Sequence, residues 1–560
     1  MVVWELTDKN GQIVQPRTYS NCKTQESVVN EVVDSFDDNK FVVLLGGVGT
    51  GKSAIALHVI KHFNRSGIIV VPTKVLEHQY QDDYCGDGKY HIPDLDVEFM
   101  VGKGNFKCPW SGDRWSCTHS GEPCNRPLNK DAEETRLKAA YVCKYWSPVY
   151  PSTMLQAARK YLDSYTHTIH SYTSTGGDKA WLCASEPCPY YLQFKHYVNP
   201  CALLMNAAKW DIETAIERKP AVEIEIIDEA DEFLDGLSYQ TRLDTKMFDA
   251  LAKENTIDRA VLKELETEFE ELVRDNEGYE GKLQHEIMVY VQQFVKELED
   301  CPPSSSVFDK YSKLNQILEN ALHAYINVTH NAMVVFMPRP DITLKKIFAK
   351  SKRVLFMSAT MQSKQVLKEI FGIEPHIVVA EDTNPGVLKL TTTGQESAVT
   401  YQSWQQKEFQ QRYHKLLSHI VNVATKPCLV QVHAKKYVPP EHAHRLLDDG
   451  FVNGVWWSTR TDRGIDLPDE KCRSIVVMKY PLPDMNDVVL KTMRQLLGDG
   501  KFWSYMNDMA TRQLIQQCGR GVRSADDWVE IYSPDSKCFA TLMRSWNGKK
   551  VIERARVPAV

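Results

Sequence analysis

FVVLLGGVGTGKS, residues 41–53, decides the fold. An unbroken apolar run, Phe41 to Leu45, ends abruptly in glycines. Such a run, short and bounded by turn residues, reads as a strand buried on both faces and passing into a loop. SAIALHVIKHF (53–63) behind it has the spacing of a helix. Working outward, residues 28–36 read as a preceding helix. GIIVVPT (67–73) is a second buried strand, and KVLEHQYQDDY is the helix that follows it. Strand, loop, helix and strand in that order indicate a parallel α/β sheet, because parallel neighbours need a crossover and the helix supplies it.

The loop itself, Gly46-Gly47-Val48-Gly49-Thr50-Gly51-Lys52-Ser53, matches G-x-x-x-x-G-K-S. Its glycines let backbone N–H groups curl around a phosphate where a side chain would collide. The helix N-terminus behind it favours an anion. Lys52 is placed to reach the β- and γ-phosphates of ATP, and the Ser53 hydroxyl to ligate Mg2+. The plain alternative is a glycine-rich turn with an incidental lysine. Further on, VEIEIIDEADEFL (222–234) sets Asp228-Glu229-Ala230-Asp231 directly after a buried strand. In a parallel sheet this is the carboxyl end, beside the phosphate loop. Asp228 is then a magnesium ligand through water, and Glu229 the group that orients and deprotonates an attacking water. Against this stands an ordinary acidic helix start.

The chain has 560 residues, enough for two to four domains. Composition is that of a soluble globular protein, 43% apolar and 25% charged, with a net charge of −6 that announces no global basic field. The opening MVVWELTDKN carries an acid and no long apolar run, and no stretch reaches the length of a membrane span. The expectation is a soluble intracellular protein, cytoplasmic or at the nucleoid or nucleus, with no membrane partner. From 86 to about 200 the periodicity breaks down and Gly, Pro, Trp, Tyr and Cys accumulate. ALLMN (202–206) and 222–228 return to strands, so the intervening stretch is an insertion. Residues 236–330 are charged and helix-periodic, a second insertion. VLFMSAT (354–360) is again a strand, and PCLVQVH (427–433), SIVVMKYP (474–481) and VEIYSP (529–534) supply a second α/β region.

Taken together, the phosphate loop and the DEAD sequence resemble superfamily 2 helicases. Ser358-Ala359-Thr360 resembles the motif that couples nucleotide state to strand movement, and Arg463-Gly464-Ile465-Asp466-Leu467 the fifth motif. Gln516-Gln517-Cys518-Gly519-Arg520-Gly521-Val522-Arg523 fits the sixth, Q-x-x-G-R-x-x-R. ATRQLIQQCGRGVRSADD, TDRGIDLPDEKCRSIVVMKYPLP and VVPTKVLEHQYQ resemble the XPD and DinG families in particular. The fourth-motif region LVQVHAKKY (429–437) lacks the usual aromatic–serine signature, and the helical insert is short for an arch domain. The resemblance implies an α/β fold of two RecA-like motor domains, the first carrying an iron–sulfur insert and an arch-like helical insert. The implied division is 1–85, 202–235 and 331–362 for the first motor domain. The cluster insert is then 86–201, the arch-like insert 236–330 and the second motor domain 363–560. It also implies catalytic roles for Lys52, Asp228, Glu229, Gln516, Arg520 and Arg523, with both arginines facing the γ-phosphate from the second domain and Gly464 and Asp466 near the nucleotide.

Half of the fourteen cysteines (Cys108, Cys117, Cys124, Cys143, Cys183, Cys188, Cys201) lie between 108 and 201. In a reducing compartment such a local excess points to metal or redox chemistry rather than disulfides. By resemblance the segment around Cys108 is the first ligand to a 4Fe-4S cluster, Cys188 the last and Cys143 the third. Cys124 is the choice for the second, with Cys117 close behind and Cys183 a DinG-like alternative. The long, irregular spacings admit a structural zinc site or buried unligated thiols instead. The expected function is an ATP-dependent helicase, a monomer that moves 5′ to 3′ on single-stranded DNA and opens tailed duplexes. The alternatives are an RNA-directed or strand-annealing motor, and a zinc-stabilised nucleic-acid-binding protein with weak ATP hydrolysis.

Overall fold

The strand Phe41–Leu45 sits second in a seven-stranded, wholly parallel sheet. Its order is His376–Val379, Phe41–Leu45, Val354–Ser358, Ile224–Asp228, Gly67–Val71, Ala202–Asn206 and Val97–Met100. This computed structural model describes residues 2–554 apart from 48, 115, 118–123, 125–142, 159–166, 255–256, 299–306, 381–385, 448, 460–466, 468 and 523–525. Alternate residues of each strand feed two cores. Val42 and Leu44 pack with Ile55, Leu57 and Val59 of the helix Lys52–His62, while Val43 packs on the other face with Ile227 and Phe356. Every residue of Gly67–Val71, Ile224–Asp228 and Val354–Ser358 is buried; the first and last therefore read as apolar runs without alternation, while Ile224–Asp228 buries Glu225 against Lys219.

The strand order also builds the site. Phe41–Leu45, Val354–Ser358 and Ile224–Asp228 are consecutive, so their carboxyl ends bring the phosphate loop, Ser358–Thr360 and the acids to one rim. The Gly46 amide donates to the Ser358 carbonyl at 3.2 Å across that rim.

The second sheet is also parallel, with order Val455–Ser458, Cys428–Gln431, Ser474–Val477, Trp528–Tyr532, Val387–Thr392, Lys549–Arg554. A long helix, Val488–Cys518, broken at Gly498 (φ 76°), leads back from it toward the first.

Boundaries drawn from sequence move. His376–Val379 pairs with Phe41–Leu45, so the first sheet closes beyond residue 362. Val97–Met100 pairs with Ala202–Asn206, so a strand of the first sheet lies inside the stretch assigned to the cysteine-rich insert. Beyond Met100 that insert holds an antiparallel sheet of Val149–Pro151, Gly177–Ala184 and His167–Ser174. The stretch read as a helical insert, 236–330, is not helical alone. The helices Thr245–Glu254, Arg259–Asp275, His285–Glu297 and Phe308–Leu318 share a core of Phe248, Phe269, Tyr290 and Phe294. Against them lies a four-stranded antiparallel sheet of Tyr239–Asp244, Ala332–Met337, Tyr325–Thr329 and Glu280–Lys282. The charged helical periodicity masked these short strands. Among the described residues no helix is long and apolar enough to cross a membrane.

Candidate active site between two α/β domains

The phosphate loop is held from below by the segment before the first helix. Arg17 donates to the Gly49 carbonyl at 2.7 Å, and Tyr19 and Gln25 donate to the Thr50 carbonyl at 2.7 and 3.2 Å. Gly51 adopts φ 77°, and a Cβ there would fall 2.2 Å from Gln25 Nε2. A Cβ on Gly46 would meet Thr50 Oγ1 at 2.8 Å. Lys52 bends over the loop and donates to the Gly46 and Gly47 carbonyls at 2.9 and 3.2 Å. A bound phosphate offers that ammonium anionic acceptors in place of neutral carbonyls. Val48, the remaining loop residue of the motif, lies outside the described residues.

Asp228 ends its strand beside this loop and is buried. One carboxylate oxygen accepts from the Tyr80 hydroxyl at 2.9 Å, the other from the Glu229 amide at 3.0 Å. Burial pushes its carboxyl upward, against the pull of the Lys52 ammonium. A desolvated carboxylate near an ammonium, with the Ser53 hydroxyl on the same Tyr80 phenol, is a suitable hard-oxygen set for a divalent cation and its phosphates. Ser53 and Asp228 are therefore the residues that could hold Mg2+. Glu229 adopts the left-handed conformation (φ 50°) at the start of the helix Ala230–Asp235, a conformation a side chain seldom takes and one that clusters at functional sites.

The helix Ala230–Asp235 is where the second domain arrives. Asp231 accepts from Ser358 Oγ at 2.8 Å and Thr360 Oγ1 at 3.2 Å on its own sheet. From the second domain Gln516 Nε2 reaches the same carboxylate at 2.8 Å and Thr360 Oγ1 at 2.6 Å. One turn earlier, Arg512 forks onto Asp235 with two bonds of 3.0 Å and lies 3.6 Å from Asp231. It also bonds Asp508 of its own helix at 2.8 Å, and Asp508 accepts from the Ser363 amide at 3.0 Å. Gln362 and Tyr505 complete the shell of Asp235 at 3.0 and 3.4 Å. Burial raises the Asp235 carboxyl while the Arg512 guanidinium opposes it.

Thus Lys52, Ser53, Asp228 and Glu229 share one rim, and Gln516 is brought to it from the other domain. Arg520 lies in the turn Gly519–Gly521 that ends the long helix, where its carbonyl accepts from Leu467 at 3.2 Å. Gly464, Asp466 and Arg523 lie outside the described residues. Sequence reading missed Arg17, Tyr19, Gln25, Tyr80, Asp235 and Arg512. Arg512 alone left a usable signal, since it stands four residues before Gln516 and so on the same helix face.

In the cysteine-rich insert the thiols of Cys117 and Cys188 hydrogen-bond, and Lys103 Nζ donates to Cys124 Sγ at 3.4 Å. The Cys117 contact, then burial, pushes the Cys188 thiol upward. Burial alone would lower Lys103, but Cys124, Tyr190 and Cys117 outweigh it and raise it. Cys108 packs in the same core as Cys117 and Cys188, whereas Cys143 packs with Trp146, Tyr150 and Leu182, bordering Cys124. Cys183 faces its neighbour's carbonyl, Ala184, at 3.4 Å. Cys124 as well as Cys117 acts electrostatically on Cys188. Several soft sulfurs beside a half-buried ammonium fit, in donor type, an anionic metal–thiolate centre. Among the described residues no three His, Cys, Asp or Glu side chains already stand in metal-binding geometry.

Residues 378–548 match the model of the helicase C-terminal domain family. No curated protein matches the chain by sequence. Among solved structures, an XPD helicase aligns over 94% of this chain and 98% of its own, at 15% identity and a TM-score of 0.58. An apo XPD structure aligns over 94% and 99% at 15% identity with a TM-score of 0.55, and S. tokodaii Xpd4 over 95% and 99% at 13% and 0.54. Identities this low speak to the fold, and the fold is shared over nearly the whole length of both partners. Residues 378–548 thus match a helicase C-terminal domain, carried on a fold that the whole chain shares with XPD helicases.

Proposed function

We propose that this chain is an ATP-driven motor that moves 5′ to 3′ along single-stranded DNA and opens tailed duplexes. The observation that carries the reading is the polar bridge between the two domains, in which Gln516 holds both Asp231 and Thr360. That bridge sets the helix leading into Arg520 against the acids beside the phosphate loop, so the second domain takes part in the chemistry of the first. In this reading Lys52 exchanges its loop carbonyls for the β- and γ-phosphates of ATP. Ser53 and Asp228 hold Mg2+, which when bound offsets charge on those phosphates. Glu229 orients a water and takes its proton as the water oxygen bonds to the γ-phosphorus and the bridging oxygen leaves with ADP. Arg520, and Arg523 by motif, stabilise the charge spread over the γ-phosphoryl oxygens. Loss of that phosphate removes what the arginines hold, and the domains part.

DNA as the track rests on the XPD-type fold and on an insert on either side of Asp228. A 4Fe-4S cluster held by Cys108, Cys188 and two of Cys117, Cys124 and Cys143 rests on the thiol grouping. ATP hydrolysis with and without single-stranded DNA and RNA tests the reading, together with unwinding of matched duplexes bearing a 5′ or a 3′ tail. Stimulation by DNA and opening of the 5′-tailed duplex are expected, with affinity falling steeply as salt rises. Stimulation by RNA alone overturns the track, and activity on the 3′-tailed duplex alone overturns the polarity.

A further inference from the structure

Tyr80 lies on the helix Lys74–Tyr84, whose N-terminus is capped by Thr73 in the segment that resembles the strand-gripping motif. The ring is buried (1% exposed) in the core of the first sheet, yet its hydroxyl does not face that core. It donates to Asp228 at 2.9 Å, and the Ser53 hydroxyl hydrogen-bonds the same phenol. One side chain from a helix outside the phosphate loop therefore touches both residues that could hold Mg2+. The same helix is tied again at Glu77, which accepts from Asn206 at 3.2 Å at the end of a neighbouring strand. A shift of this helix against the sheet cannot leave Asp228 undisturbed.

We propose that Tyr80 is a positioning residue of the magnesium site, and that it ties metal affinity to the placement of the helix 74–84. The inference rests on the ATP-motor reading above. By donating to one carboxylate oxygen while the Glu229 amide donates to the other, Tyr80 fixes the plane of the group, and each oxygen keeps a lone pair for metal-bound water. A carboxylate free to rotate loses affinity, because ligands oriented by an outer hydrogen bond bind more tightly. A DNA strand held at the N-terminus of the helix acts on that orientation through the phenol.

The test is equilibrium binding of a fluorescent ADP to the full chain, titrated with Mg2+, with and without single-stranded DNA. Tyr80→Phe removes one buried oxygen and keeps the ring. Nucleotide affinity without Mg2+ should match the wild type, which also shows that the variant is folded. The Mg2+ concentration for half-saturation should rise roughly 10- to 100-fold, the weight of one outer hydrogen bond to a metal-binding carboxylate. DNA should shift that value in the wild type and much less in the variant. Tyr84→Phe, one turn on and away from Asp228, should behave as wild type throughout. An unchanged half-saturation in Tyr80→Phe overturns the positioning role. A raised value that still responds to DNA as the wild type does overturns the tie to the helix. Wild-type binding indifferent to Mg2+ overturns the ATP-site reading itself, and this proposal with it.

Discussion

Glu229 shows how much of the site is settled by a single backbone conformation. Its φ of 50° turns the chain sharply between the buried strand and the helix Ala230–Asp235, so that Asp228 and Glu229 leave the strand in different directions. Asp228 stays on the phosphate-loop side, bonded to Tyr80 and to the Glu229 amide. Two adjacent acids can then do different work, one toward the metal and one toward a water. Glu229→Gln keeps size and hydrogen bonding but cannot take a proton. It should bind ATP with near wild-type affinity while kcat falls by roughly 10²- to 10⁴-fold. Lys52→Ala removes the ammonium that folds over the loop and should lose affinity as well as turnover. Nucleotide titration beside steady-state hydrolysis separates the two. Near-normal hydrolysis by either variant sinks the assignment of this loop.

At the scale of elements, the contact between the helices 230–235 and 488–518 joins the two sheets through charges removed from water. Arg512 is buried and uses all three guanidinium nitrogens, on Asp508 of its own helix and Asp235 of the facing one. Removing one partner of such a pair leaves the other charge buried and unpaired, which costs about 3–5 kcal/mol, whereas removing both costs much less. Asp235→Asn and Arg512→Gln should each lower kcat/KM for ATP, and the double variant should lose clearly less than the sum of the two. Strict additivity of the three free-energy changes would mean that the pair does not join the domains in solution. The helix face carrying Arg512 and Gln516 was legible in the sequence only in part. Gln516 belongs to a spaced pattern, while Arg512 acquires its meaning from Asp235, distant in the chain. Phe41–Leu45, Gly67–Val71, Ala202–Asn206 and Val354–Ser358 were legible because each is a short, mostly apolar run bounded by turn or polar residues. Glu280–Lys282 and Tyr325–Thr329 were not, since each buries one face only and adjoins strongly periodic helices. His376–Val379 was missed as part of the first sheet because nothing local says which sheet a short strand will join.

On the scale of the whole molecule, the cysteine-rich insert is bound to the motor by a buried polar chain rather than by apolar packing alone. Tyr190, two residues past Cys188, accepts from Arg218 at 3.3 Å. Arg218 forks onto Glu213 at 2.6 and 2.8 Å, and Lys209 joins that carboxylate at 2.7 Å. Next along the chain, Lys219 bonds Glu225 at 2.7 Å, and Trp210 donates to the same oxygen at 3.0 Å. Glu225 lies in the strand that ends at Asp228. Glu213, Lys209, Lys219 and Glu225 are all buried, so the junction is anchored by pairs costly to break singly. On the iron–sulfur reading proposed above, loss of the metal centre leaves the motor assembled, because these anchors hold no thiol. Cys188→Ser should abolish bound iron and duplex opening, leaving most ATP hydrolysis in place, while the exposed Cys22→Ser should change neither. Metal analysis of purified protein reads the first effect, and hydrolysis set against unwinding reads the second. Full iron occupancy in Cys188→Ser would strike it from the ligand set, and zinc in place of iron would reassign the centre. Equal loss of hydrolysis and unwinding, with iron gone, would show that the insert and the ATP site form one unit after all, transmitting through Tyr190 and Glu225 what the separation of their anchors from the thiols says they should not.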